Sequence, residues 1–116
     1  MVRRLLCLVL VCGALLLGCS AAGSGTDTVR ESRLPAEARR TLTLIDRGGP
    51  FPYEKDGSVF GNYEHELPAE RRGYYHEYTV PTPGSRDRGA RRLVTGAAGE
   101  TYYTDDHYES FKEVLR

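Results

Sequence analysis

Three scarcities narrow what this 116-residue chain can be. It has no excess of either charge: 16 Lys+Arg stand against 16 Asp+Glu. That balance excludes a bulk-basic nucleic-acid binder of the histone kind and leaves room only for a local basic patch. It has no long hydrophobic run, because the stretch Leu5 to Leu17 falls short of the roughly 20 residues that span a bilayer. And it has no cysteine after Cys19, so the remainder carries neither a disulfide nor a thiolate metal site. Lysine is scarce too, with Lys55 and Lys112 the only two. With 13 Gly, 6 Pro and 40% apolar residues the composition is neither collagenous nor that of a disordered chain. The length admits a single domain.

What is present begins with a processing signal. Arg3-Arg4, the apolar run, then Gly18-Cys19-Ser20 have the basic, apolar and small-residue order of a secretory signal peptide over residues 1–18. Leu16-Leu17-Gly18-Cys19 resembles the bacterial lipobox, which makes Cys19 the expected lipidation site. Ordinary cleavage after Ala21 or Ala22 is the alternative. The domain is therefore expected outside the cell, secreted or lipid-anchored on the outer side of a bacterial membrane. Loss of Arg3 and Arg4 leaves 14 cations and 16 acids, a net charge of −2. Residues 19–33, with Gly23-Ser24-Gly25-Thr26, read as a flexible tether, and 34–116 as the folded domain.

Within that domain Ala38, Leu42 and Ile45 fall on one face of a helix. Pro35 opens it, Glu37 favours its positive end, and Gly48-Gly49-Pro50 closes it. The rest reads as strands and turns, with strands at 58–60, 74–80, 91–95 and 111–115. The expected class is α+β: one N-terminal helix packed on a twisted antiparallel sheet of about 4–5 strands.

Three features carry chemistry. Arg86, Arg88, Arg91 and Arg92 form one dense basic patch opposed only by Asp87. On an extended chain Arg86, Arg88 and Arg92 share a parity and could present guanidiniums on one face, suited to phosphate oxygens. Glu77 sits inside the strand-like Tyr74–Val80, where a carboxylate is disfavoured unless something pairs with it. A hairpin across residues 81–90 would bring it beside the arginines. His107 lies among turn residues, and histidine is the commonest acid/base side chain. His65, His76 and His107 lack ligand spacing, so no metal is expected. A carboxylate base, an arginine clamp and a histidine acid make a cofactor-free set for cleaving RNA through its own 2′-hydroxyl.

Taken in order, Gly49-Pro50-Phe51-Pro52-Tyr53, Asp56-Gly57-Ser58-Val59-Phe60, Tyr74–Val80, Thr82–Gly89 and Tyr102–Tyr108 resemble the secreted guanyl-specific ribonucleases of Streptomyces, members of the barnase-like microbial ribonucleases. The resemblance implies Glu77 as base, His107 as acid, and Arg88, Arg92 and Tyr108 on the phosphate, with Arg91 assisting electrostatically. It implies a guanine-reading loop of Phe60, Gly61, Asn62, Tyr63 and Glu64. Glu64 would accept from the guanine N1 and N2 hydrogens, backbone amides of Gly61 to Tyr63 would donate to O6 and N7, and Phe60 would support the base. Implied partners are single-stranded RNA and a barstar-like inhibitor, with the chain a monomer. The alternative is a catalytically silent surface lipoprotein binding RNA or protein. Secreted relatives staple their two ends with a disulfide. Arg30 stands at the upstream position here, and a missing bridge of that kind costs about 2–5 kcal/mol.

Overall fold

The computed structural model describes residues 26–116. The signal segment, its lipobox and Cys19 lie outside the described residues, as does the tether up to residue 25. Helix α1 spans Ala36–Arg47. Six strands follow or precede it: β1 Asp27–Arg30, β2 Ser58–Phe60, β3 Tyr75–Thr79, β4 Arg92–Gly96, β5 Thr101–Thr104 and β6 Lys112–Leu115. They form one sheet in the order β1-β6-β5-β4-β3-β2. All neighbours are antiparallel except β1 and β6, which run parallel.

The fold class is α+β as expected, with two corrections to the sheet. β5 lies in the Tyr102–Tyr108 motif and is not among the expected strands, and β1 falls within the expected tether. β1 is a polar four-residue edge strand whose partner lies 85 residues away (Asp27 opposite Lys112), and no local periodicity announces such a pairing. The ordered fold thus starts before Leu34, and a short 3-10 turn at Glu31–Arg33 joins β1 to the helix region.

Helix α1 forms where its apolar spacing requires. Ala38, Thr41 and Leu42 are buried and Ile45 packs beside them. Pro35 is the N-cap rather than the first helical residue. At the other end Gly48 takes φ +80°, and the Gly48 and Gly49 amides donate to Ile45 and Leu44, a glycine-dependent αL stop.

Strand alternation gives the sheet two apolar faces. One carries Leu93, Tyr103, Val80 and Val114 against Leu34, Ala38 and Leu42 of the helix layer. The other carries Tyr75, Val94 and Tyr102 with Leu67, Tyr74 and Phe111. Phe60 and Tyr108 border this second core, so the aromatic cluster continues into the functional cleft. Arg116 joins the C-terminal end to the 3-10 turn and the helix, its Nε donating to Glu31 (2.9 Å) and its Nη1 to Asp46 (3.0 Å). An ion-pair cluster therefore occupies the seam where relatives were expected to carry a disulfide.

Candidate active site

A cleft of about 390 Å³ opens on the helix-free face, lined by Val59 to Glu64, Glu66, Glu77, His107 and Tyr108. Register explains the convergence. Thr79 stands opposite Arg92, and Arg92 opposite Thr104. Residues directly opposite in antiparallel strands share a face, so Glu77, two residues from Thr79, lies on the same side as Arg92.

The Glu77 side chain is 16% exposed and central to the cluster. Its Oε1 accepts a hydrogen bond from the Tyr108 hydroxyl at 2.6 Å. Arg88 Nη2 lies 3.6 Å and Arg92 Nε 3.9 Å from the same oxygen. Oε2 is left without a hydrogen-bond donor among the described residues. Burial, then the bond to Glu77, pushes the Tyr108 hydroxyl up to about 12, so it stays protonated and remains a donor near neutral pH.

The two arginines stand behind Glu77 and are held differently. Arg92 is 2% exposed. Its Nη1 donates to the Gly89 and Arg91 carbonyls and its Nε to the Tyr108 oxygen. Those bonds offset the cost of burying a permanent charge. Arg88 donates through Nε to Thr79 Oγ1 at 2.9 Å, and Thr79 in turn donates its amide to Asp56 Oδ1 at 2.7 Å. Arg88 Nη2 is buried and has no hydrogen-bond partner. An unsatisfied buried donor costs about 1–3 kcal/mol, and an anionic oxygen arriving beside Glu77 would satisfy it.

His107 is exposed at the mouth, its ring 4.7 Å from that of Tyr108. Its amide donates to the Ala90 carbonyl, tying its loop to the arginine segment. Asp106 accepts from Ser110 Oγ (2.6 Å), Thr104 Oγ1 (2.7 Å) and the Ser110 amide (3.0 Å). These bonds hold its carboxyl down at about 2. The opposite wall is the loop after β2. Asn62, 8% exposed, donates to the Leu67 carbonyl and accepts the Leu67 amide, closing the loop with Glu64 exposed near its tip. Phe60 stacks on Tyr108 with ring centroids 5.1 Å apart.

Four non-glycine residues among those described have positive φ: Asn62, His65, His107 and Tyr108. All four belong to the two loops flanking the cleft. Each costs on the order of 1–3 kcal/mol, and such strain concentrates at functional sites.

The structure thus brings together Phe60, Gly61, Asn62, Tyr63, Glu64, Glu77, Arg88, Arg92, His107 and Tyr108. It does not bring Arg91 there. Arg91 points to the helix side, donating to Tyr103 Oη, the Pro81 carbonyl and Glu37 Oε1, and it clamps α1 to the sheet. Strand alternation sends it away from Arg92. Arg86 is exposed in the loop. Asp56, Thr79 and Asp106 escaped sequence reasoning as site supports, because nothing in their spacing tells a supporting side chain from a turn or strand residue.

A family model described as ribonuclease matches residues 18–115. The chain belongs to the ribonuclease family. This ribonuclease is 58% identical over 89 residues to the guanyl-specific ribonuclease St of Saccharopolyspora erythraea, covering 77% of this chain and 88% of that protein. It is 60% identical over 87 residues to the guanyl-specific ribonuclease Sa of Kitasatospora aureofaciens, covering 74% and 91%. Its fold is similar to that of ribonuclease Sa2 crystallised with guanosine-2'-cyclophosphate, at TM-score 0.76 and 50% identity over 78% of this chain and 97% of that one.

Proposed function

We propose that this ribonuclease is a guanine-preferring endoribonuclease that cleaves single-stranded RNA without a metal. The observation that carries the reading is the Glu77 carboxylate held by Tyr108 between two guanidiniums, one with a buried, unsatisfied Nη2. In the first step Glu77, through its unengaged Oε2, takes the 2′-hydroxyl proton. The 2′-oxygen bonds to phosphorus as the bond to the 5′-oxygen breaks, and His107 protonates that leaving oxygen. Arg88, Arg92 and Tyr108 donate to the phosphorane oxygens, where charge develops. In the second step His107 takes a proton from water, the water oxygen bonds to phosphorus, and the bond to O2′ breaks. Glu77 returns a proton to that oxygen, which turns the 2′,3′-cyclic phosphate into a 3′-phosphate. DNA has no 2′-hydroxyl and is not a substrate.

Base choice falls to the 60–64 loop. Glu64 accepts from guanine N1 and N2, the amides of Gly61 to Tyr63 donate to O6 and N7, and Phe60 supports the ring. The site is reached outside the cell, by a chain that is secreted or lipid-anchored through Cys19 on the outer side of the membrane. A barstar-like protein covering this cleft would inhibit the enzyme, and the domain acts as a monomer.

The test is incubation of residues 20–116 with GpU, ApU and deoxy-GpU in the presence of chelator. Guanosine 2′,3′-cyclic phosphate from GpU alone is the expected product. Equal cleavage of ApU would remove the Glu64 base site and leave the chemistry. No cleavage by the folded protein would refute the catalytic assignment.

A further inference from the structure

Arg88 and Arg92 reach the same carboxylate from unequal supports. Arg92 stands inside β4 and is almost wholly buried. Arg88 comes from the loop between β3 and β4, where residues 83–87 are exposed, and its own side chain is 30% exposed. A long, rotatable side chain on such a loop does not by itself aim its donors. One tie does: Arg88 Nε donates to Thr79 Oγ1 at 2.9 Å. A guanidinium is a rigid planar fork, so holding one N–H sets the direction of the others. With Nε held there, Nη2 stands 3.6 Å from Glu77 Oε1, buried and without a hydrogen-bond partner.

Thr79 is itself fixed from several sides. It ends β3 and is 1% exposed. Its amide donates to Asp56 Oδ1 at 2.7 Å, and its carbonyl accepts from Thr41 Oγ1 of α1 at 3.4 Å. Asp56 takes the Tyr53 amide on its other oxygen. A β-branched side chain is stiff at χ1, so a fixed backbone fixes the hydroxyl as well. We propose that Thr79 is a positioning residue for the phosphate chemistry. Its hydroxyl aims Arg88 Nη2 at the phosphorane oxygen that forms beside Glu77, and without that anchor the guanidinium swings toward solvent. The inference rests on the reading given above that Arg88 meets the reacting phosphate. Aim counts most where charge develops, so loss of the anchor falls on kcat more than on KM. Base choice stays with the 60–64 loop.

Thr79→Val keeps the shape and the amide bond to Asp56 and removes only the acceptor. It is expected to lower kcat for GpU about tenfold, as a misplaced catalytic group does. KM should stay within about twofold, and guanosine, which has no phosphate, should bind as it does to the wild type. Thr79→Ser keeps the hydroxyl and should recover most of the loss. The decisive comparison is a double-mutant cycle. In an Arg88→Ala background Thr79→Val should have no further effect, because no guanidinium is left to aim. Equal losses in both backgrounds, or weakened guanosine binding, would mean a general disturbance of the cleft and overturn the proposal. So would a wild-type kcat for Thr79→Val. Full activity of Arg88→Ala alone would remove Arg88 from the phosphate, and the proposal would then fall with that reading rather than with Thr79. Urea unfolding gives the folded fraction of each variant. Where the valine variant does not fold, Thr79→Cys, whose sulfur is a weak acceptor, takes its place in the cycle with the same expected loss.

Discussion

Asp106 offers the sharpest test of how the active-site loop is held. Its carboxyl is brought from an ordinary 3.8 to about 2, first by the Ser110 hydroxyl, then by Thr104 and the Ser110 amide. These bonds close a ring over His107 and Tyr108, whose φ values of 58° and 76° need external support. Lowering the carboxyl from 3.8 to about 2 corresponds to roughly 2–3 kcal/mol. Solvent screening at this half-exposed site reduces that to about 1–1.5 kcal/mol. The folded value lies below the unfolded one, so the contribution is fully present above about pH 5 and is lost as pH falls toward 2. Asp106→Asn keeps the shape, removes the charge and points an amide at the Ser110 donors. Urea unfolding of both proteins at pH 6 should show a difference of about 1–1.5 kcal/mol, largely gone near pH 2. Activity should fall with it at pH 6, because His107 loses its fixed position. A stability difference that stays the same at both pH values would refute the argument, since the charged form would then not be what the loop binds.

Three further outcomes follow from the same geometry. Glu77→Gln should lower kcat/KM by roughly 10²–10⁴ with the melting temperature nearly unchanged, and a loss under tenfold on GpU would remove Glu77 as the base. Arg91→Leu breaks the bonds to Glu37, Pro81 and Tyr103 and should cost about 1–3 kcal/mol with kcat/KM retained; an activity loss in a fully stable variant would put Arg91 back in the site. Arg116→Ala should cost no more than about 1 kcal/mol, because the pairs with Glu31 and Asp46 are largely exposed. High salt should erase most of that difference in thermal unfolding, whereas a salt-independent loss would point to packing instead.

Helix α1 was legible because three apolar residues at helical spacing and a Gly-Gly-Pro stop agree with one another. Strands β2, β3, β4 and β6 were legible for the same kind of reason. β5 was hidden in plain view: Thr101–Thr104 reads as a strand by residue type, but it runs straight into the turn that carries His107. β1 was not legible, since Asp27–Arg30 is mostly exposed and pairs only with the far end of the chain. The left-handed residues could not be read either. Asn62 tolerates that conformation without advertising it, and His107 and Tyr108 adopt it only because Thr104, Asp106 and Ser110 bind the surrounding backbone.

The adjacent pair Arg91 and Arg92 shows where residue chemistry ends and register begins. Both are guanidiniums in the one dense basic patch, and composition cannot separate them. Parity can: Arg88 and Arg92 share it, Arg91 does not, and pairing with Thr79 and Thr104 places Arg92 on the face of Glu77. Arg92 is accordingly held by Gly89, its neighbour's carbonyl and Tyr108 beside the carboxylate, whereas Arg91 spends its donors on helix and sheet. A one-residue slip of β4 would exchange them, and it would also carry Leu93 out of the helix-side core and bring Val94 into it. The hydrophobic alternation that fixes β4 in place therefore also selects which arginine meets the phosphate.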